Sequence, residues 1–290
     1  MSTATDLSIY KATDQILTFV RCVWINPHHS KSGTPVEHGG IIWDAAEPVE
    51  CSGKPFTVTY SSGKTQEVCG GRGFAIVPIR MSNPYTIVTS SDPAMLQQVI
   101  VPQPLYMRSD NVPDEFRVSS AVTFFFVLRD DPSNTLMSVQ LRSHGATLLN
   151  RAYIEWVKTV AKLGNQLLRI PLDVRALPCK FGAGETVMVG RNQKSPIATP
   201  IFRALRQYKT ADELQSDLVP PERFKALLEM ADDDMIKQYP AIPTVKIAPT
   251  LDEAYAALGA ALKDEQQPKA LPAAAKSAKQ IVEEGEGDYF

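Results

Sequence analysis

Residues 119–131, SSAVTFFFVLRDD, constrain the fold more than any other stretch of this chain. The β-branched and aromatic residues favour an extended backbone, in which successive side chains point to opposite faces. Phe124, Phe125 and Phe126 are consecutive, so at least one of them points away from its neighbours. Asp130-Asp131-Pro132-Ser133-Asn134 reads as a turn, and TLMSVQLRS behind it as a returning strand. A hairpin in a central sheet is the expected nucleus of the fold.

Other segments extend that sheet. QILTFVRCVWI (residues 15–25) reads as a strand that Asn26-Pro27 ends. Residues 41–43 restart order. PFTVTY (55–60) alternates apolar and polar residues, and Thr65 to Val68 can return beside it. Phe74 to Met81 is almost continuously apolar, as a strand buried on both faces is, and Tyr85 to Thr89 continues extended. Met95, Leu96, Val99 and Ile100 suggest a short helix before Pro102. Residues 145–163 carry Leu148, Leu149, Tyr153, Trp156, Val157 and Val160 at helical spacing, which predicts one long amphipathic helix with Asn150, Arg151, Glu155 and Lys158 in water. LLRIPLDVRALPCKF and ETVMVGR read as strands separated by a turn at Gly182-Ala183-Gly184. Residues 199–208 read as a short helix with Pro200 in its first turn, and 211–239 as helices divided at Pro220-Pro221.

The expected fold class is therefore α+β. A β-rich body, an OB-like or other twisted antiparallel barrel or sheet, packs against one long helix, with a helical C-terminal part. The divisions are a body over 1–245, a peripheral helix over 246–263, a flexible linker over 264–281 and an acidic tip over 282–290. No apolar run reaches the roughly 20 residues that span a bilayer, and the first residues lack the form of a secretory signal. A cytoplasmic protein with no membrane partner is expected.

The near-neutral total charge of -2 hides an asymmetry. Residues 1–210 hold 22 Lys+Arg against 16 Asp+Glu, and residues 211–290 hold 8 against 16. A basic body attracts polyanions, and an acidic end competes for the same surface or recruits a basic partner. Cys22, Cys51, Cys69 and Cys179 show no CxxC pair, so neither a zinc site nor, in a cytosolic protein, a disulfide is expected. Cofactors are not expected either. GGRGF lacks the Walker lysine, and no HExxH, GxSxG or dinucleotide fingerprint is present, so the chain does not read as an enzyme.

Sequence-tolerant binding of single strands needs aromatic faces for bases and cations for phosphates. The candidates are Trp24, Lys31, Trp43, Tyr60, Lys64, Arg72, Phe74, Arg80, Tyr85, Arg108, Arg142 and Arg151. Arg72 stands out because it lies among three glycines, which leave the backbone open to a phosphate or a base.

The last ten residues, IVEEGEGDYF, carry Glu283, Glu284, Glu286 and Asp288, followed by Tyr289 and Phe290. An aromatic ring beside a free carboxylate suits a small apolar pocket rimmed by Arg or Lys. This arrangement resembles the single-stranded-DNA-binding proteins of bacteria and their phages. The resemblance covers residues 283–290 and the basic-body, acidic-end layout, with Tyr289 where the bacterial tip more often has proline. It implies a homo-oligomeric, non-enzymatic protein of replication or recombination in a bacterial cell or phage-infected host. It also implies a body that binds single-stranded DNA and a tip that recruits replication or recombination proteins or guards the DNA groove. The alternative is a structural or assembly protein of a phage or multisubunit particle.

Overall fold

The computed structural model describes residues 19–27, 39–51, 53–59, 65–71, 73–92, 98–102, 112–163, 177–189, 195–231 and 246–266. The strongest strand of the sequence lies at its centre. Strand β8 (Phe116–Leu128) pairs antiparallel with β9 (Leu136–Arg142) along one edge. Its other edge is shared: residues 124–128 pair with β5 (Phe74–Met81), and residues 116–121 with β6 (Tyr85–Ser90). The sheet forks at that point. One arm runs from β5 to β10 (Cys179–Val189) and β11 (Ser195–Ala204). The other runs from β6 through β7 (Gln98–Val101) to β12 (Lys246–Ile247). Beyond β9 the sheet continues through β1 (Phe19–Ile25), β2 (Gly40–Asp44), β4 (Thr65–Gly71) and β3 (Phe56–Thr59).

Among the described residues this is one sheet of twelve strands. β1 runs parallel to β9 and β12 parallel to β7, so the sheet is mixed rather than wholly antiparallel. It curls back on itself: Asn26, just past β1, accepts a hydrogen bond through Oδ1 from the Ala198 amide of β11 at 3.2 Å. Of the shapes open to the sequence, an OB-like barrel or another twisted sheet, the path with open ends is the second.

Three sets of helices cover the sheet. The long helix α1 (Ser143–Leu163) follows β9 without a loop, and a left-handed Ser143 (φ 50°) makes the turn. Its Leu149, Trp156 and Val160 pack on Phe124, Phe126, Val139 and Phe181. On the opposite face, Val77, Ile79, Phe125, Val127 and Leu136 lie under Val219 and under Phe224 and Leu227 of α3 (Pro221–Ala231), which follows the short α2 (Ala211–Asp217). The three consecutive phenylalanines are thus buried on both faces, each stabilising the fold by roughly 1.5–3 kcal/mol. Helix α4 (Leu251–Gln266) packs Ala254 and Leu258 on Val88, Val99 and Val101. The segment expected to be a peripheral helix is joined to the body through β12 and α4.

Four local expectations are corrected. Val99 and Ile100 belong to strand β7, not to a helix. Gly182-Ala183-Gly184 is no turn: β10 runs through it, with a bulge between Ala183 and Thr186. Residues 199–204 are strand, not helix. Pro200 is tolerated because β11 is an edge strand, where a missing N–H breaks no ladder, and Phe202 stacks on Phe181 with centroids 4.5 Å apart. Cys51 and Cys69 are joined by a disulfide, their Cα atoms 5.2 Å apart, which the spacing of the cysteines did not suggest.

Helix α3 is fastened to the β8–β9 turn by a single side chain. Arg223 donates to Asn134 Oδ1 (2.8 Å) and to the carbonyls of Arg129 (2.7 Å), Asp131 (3.1 Å) and Leu128 (3.3 Å). Arg223→Ala is expected to lower unfolding free energy by about 2 kcal/mol, read from urea midpoints. An unchanged midpoint would mean that Phe224 and Leu227 hold the helix alone. The disulfide closes a loop with a sequence separation of 18. Its reduction is expected to cost about 3 kcal/mol, measured by denaturation with and without reductant beside a mass-spectrometric thiol count.

Candidate functional site

Side chains alternate along a strand, and cross-strand partners share a face. Arg21 of β1 stands opposite Ser138 of β9, which stands opposite Phe125 of β8. Gln140 is opposite Thr123, and Arg142 opposite Ala121. On the next strands Arg117 is opposite Thr89, and Thr89 opposite Gln98. Arg21, Arg117, Arg142, Gln98 and Gln140 therefore share the sheet face that α3 covers farther along β8. Beyond α3, this face holds a groove of about 500 Å³ crossing β1, β9, β8, β6 and β7.

The groove is electropositive. Arg21, Arg117 and Arg142 all line it, against one acidic lining residue, Asp92. None of the three arginines is in an ion pair among the described residues. Burial holds the Arg21 and Arg142 guanidinium groups below their ordinary values, and Arg21 pushes Arg142 further down by repulsion. An anion placed between them would relieve both costs.

A hydrogen-bond chain fixes Arg142. Its Nη2 donates to Gln98 Oε1 at 2.8 Å, and its Nε and Nη2 lie 3.3 Å from Gln140 Oε1. Gln140 Nε2 in turn donates to the Tyr85 hydroxyl at 2.7 Å, which shares a 2.8 Å bond with Thr123 Oγ1. Tyr85 is fully buried, so the chain runs from the core to the guanidinium. Burial pushes the Tyr85 phenol up, while the bonds to Thr123 and Gln140 and the charges of Arg142 and Arg21 pull it back.

The structure sorts the candidate residues sharply. Trp24 and Arg142 line the groove. Trp24 is half-buried, its ring 6.1 Å from that of Phe181 and its indole Nε1 buried without a hydrogen-bond partner. Trp43, Phe74 and Tyr85 are core residues at 1%, 6% and 0% exposure, so no ring face among them is open to a base. Their burial follows from packing: Trp43 and Phe74 meet edge to face at 5.4 Å, and a Cβ at Gly70 would lie 2.6 Å from the Trp43 ring. That glycine gives room to a tryptophan rather than to a ligand. Arg80 is half-buried opposite Phe125, and Arg151 sits on α1 paired with Glu155 at 3.0 Å; neither lines the groove. Lys31, Tyr60, Lys64, Arg72, Arg108 and the tip residues Glu283, Glu284, Glu286, Asp288, Tyr289 and Phe290 lie outside the described residues.

Sequence reasoning missed Arg21, Arg117, Gln98 and Gln140. The available signal was a charge inside an apolar run, FVRCVWI, and the polar residues Arg117, Ser119 and Thr123 on one face of the N-terminal half of β8, interrupted by Ala121. No protein-family model, curated protein or solved structure matches the chain.

The network carries a pH dependence. A phenol whose folded value lies above its unfolded value, near 10, stabilises the fold fully below that pH and loses its contribution as pH rises through the folded value. Stability is therefore expected to decline above about pH 10, with Tyr208, pushed up to about 12 by burial, adding to the decline. Tyr85→Phe should flatten the Tyr85 part of that curve, read from urea midpoints across alkaline pH. An identical curve in the variant would remove Tyr85 from the account.

Proposed function

We propose that this chain is a single-stranded-DNA-binding protein of replication or recombination, and that the strand's phosphates lie in the groove lined by Arg21, Arg117 and Arg142. The observation that carries the reading is the convergence on one sheet face of three exposed arginines that make no ion pair among the described residues. The net positive charge of residues 1–210 and the acidic, aromatic stretch over 283–290 support it. With Trp24 the only aromatic residue on the lining among the described residues, and that one half-buried, phosphate contacts outweigh base stacking. Binding governed by phosphate contacts is tolerant of sequence and strongly weakened by salt. In this reading the carboxylates of 283–290 compete with the strand for the arginines when no partner protein holds them.

The test is fluorescence anisotropy of a labelled single-stranded oligonucleotide across a salt series. Each phosphate contact on a single strand contributes about 0.7 to the slope of log affinity against log salt. The triple variant R21A/R117A/R142A, checked for folding by circular dichroism, should lower that slope by about 2. A chain ending at Gln280 should bind more tightly than the full chain. Absence of binding by either form at low salt would overturn the reading. Concentration-dependent particles formed without nucleic acid would move the assembly role ahead of it.

A further inference from the structure

A second basic cleft lies at the other end of the sheet. On the edge arm, Lys180 of β10 is the direct cross-strand partner of Arg203 of β11. Like charges placed directly opposite each other on one face repel and weaken the strand pair. Both side chains are exposed, and neither is in an ion pair among the described residues. Glu185 borders the same cleft but pairs with neither. The cleft holds about 500 Å³, within the roughly 300–1,000 Å³ of ordinary small-ligand sites.

Three glycines border the cleft. Gly182 and Gly184 line it on β10, and Gly73 stands at its rim. Gly73 has a left-handed backbone (φ 53°), and a Cβ there would meet nothing within 4 Å. Ile201 supplies an apolar wall, and the β10 bulge lies beside it. Bulges re-aim side chains and recur next to binding sites.

The cleft is separate from the arginine groove. Lys180 stands opposite Ala75 of β5, two residues from Val77. Phe224 and Leu227 of α3 cover Val77, Ile79, Phe125 and Val127, so the helix stands between the two basic sites. A single strand lying in the groove does not run on into the cleft along the sheet.

We propose that Lys180 and Arg203 form a second anion site, which takes a small phosphate-bearing ligand with at least two negative charges. Two adjacent cations match a diphosphate better than a single carboxylate, and Gly73 leaves open space at the rim. The proposal does not rest on the nucleic-acid reading of the groove.

Inorganic pyrophosphate is the probe, titrated against the full chain in thermal unfolding at matched ionic strength. The titration is run in R21A/R142A, which removes the groove's own attraction for phosphate: this variant should gain several degrees in midpoint at millimolar pyrophosphate, and R21A/R142A/K180A/R203A should gain none. If the combined variant does not fold, K180Q/R203Q replaces K180A/R203A in it with side chains of similar length. No gain in R21A/R142A, or the same gain in the combined variant, would overturn the proposal. Oligonucleotide binding by K180A/R203A is measured alongside. An unchanged salt slope there keeps the two sites apart, and a slope lowered as in the groove variant would make the cleft part of the strand's path and overturn its assignment to a small ligand. Failure of the wild type to bind oligonucleotide would sink the groove reading and leave the pyrophosphate result standing on its own.

Discussion

Thirteen consecutive residues of β8 must satisfy three neighbouring strands and two packed faces at once. One face of its C-terminal half carries Phe124 and Phe126 against α1, and the other carries Phe125 and Val127 against α3. Along that second face the character changes between Thr123 and Phe125. Toward the N-terminus, beyond the length packed against α3, it carries Thr123, Ala121, Ser119 and Arg117. Thr123 and Ala121 stay buried beside Tyr85 and Ile87, and the groove opens where Arg117 and Arg142 reach the surface. Core and site are two lengths of the same element, and the fork in the sheet places β6 and β7 beside the polar length.

The parts of the fold that could be read in the sequence are those with strong local patterns. The β8–β9 hairpin, α1, the β3–β4 hairpin and the division of α2 from α3 at Pro220-Pro221 follow from turn residues and periodicity. β7, the continuity of β10 and β11 were not legible, because their state is decided by the strands they join. A proline and a pair of glycines usually interrupt order, but on an edge strand and beside a bulge they cost little. The site was less legible than the fold. Arg142 and Trp24 were recognisable as candidates, whereas Trp43, Phe74 and Tyr85 were drawn inward by contacts that no local pattern records. Period-two alternation says that Arg21 and Val23 share a face with each other, but not that α3 leaves their face open.

Six of the described arginines fall into three electrostatic classes. Arg151 and Arg206 are held in ion pairs, the second at 2.8 Å from Asp217. Arg223 is held by four neutral oxygens. Arg21, Arg117 and Arg142 face the groove, which Asp92 also lines, without an ion pair among the described residues, and Arg142 is aimed there by amides rather than carboxylates. A carboxylate in the place of Gln98 or Gln140 would satisfy the guanidinium and close the site to an outside anion. Neutral amides give direction and leave the charge unspent.

The mooring of α3 by carbonyl oxygens has an operational meaning. Mobile ions screen interactions between charges at a distance far more than close, partly buried hydrogen bonds to neutral groups. Concentrated electrolyte therefore acts on the open guanidinium groups while the clasp formed by Arg223 at the β8–β9 turn persists. If the groove holds a polyanion as proposed, salt would wash it off with the scaffold still assembled beneath, and capture and release would form a cycle that does not pass through unfolding.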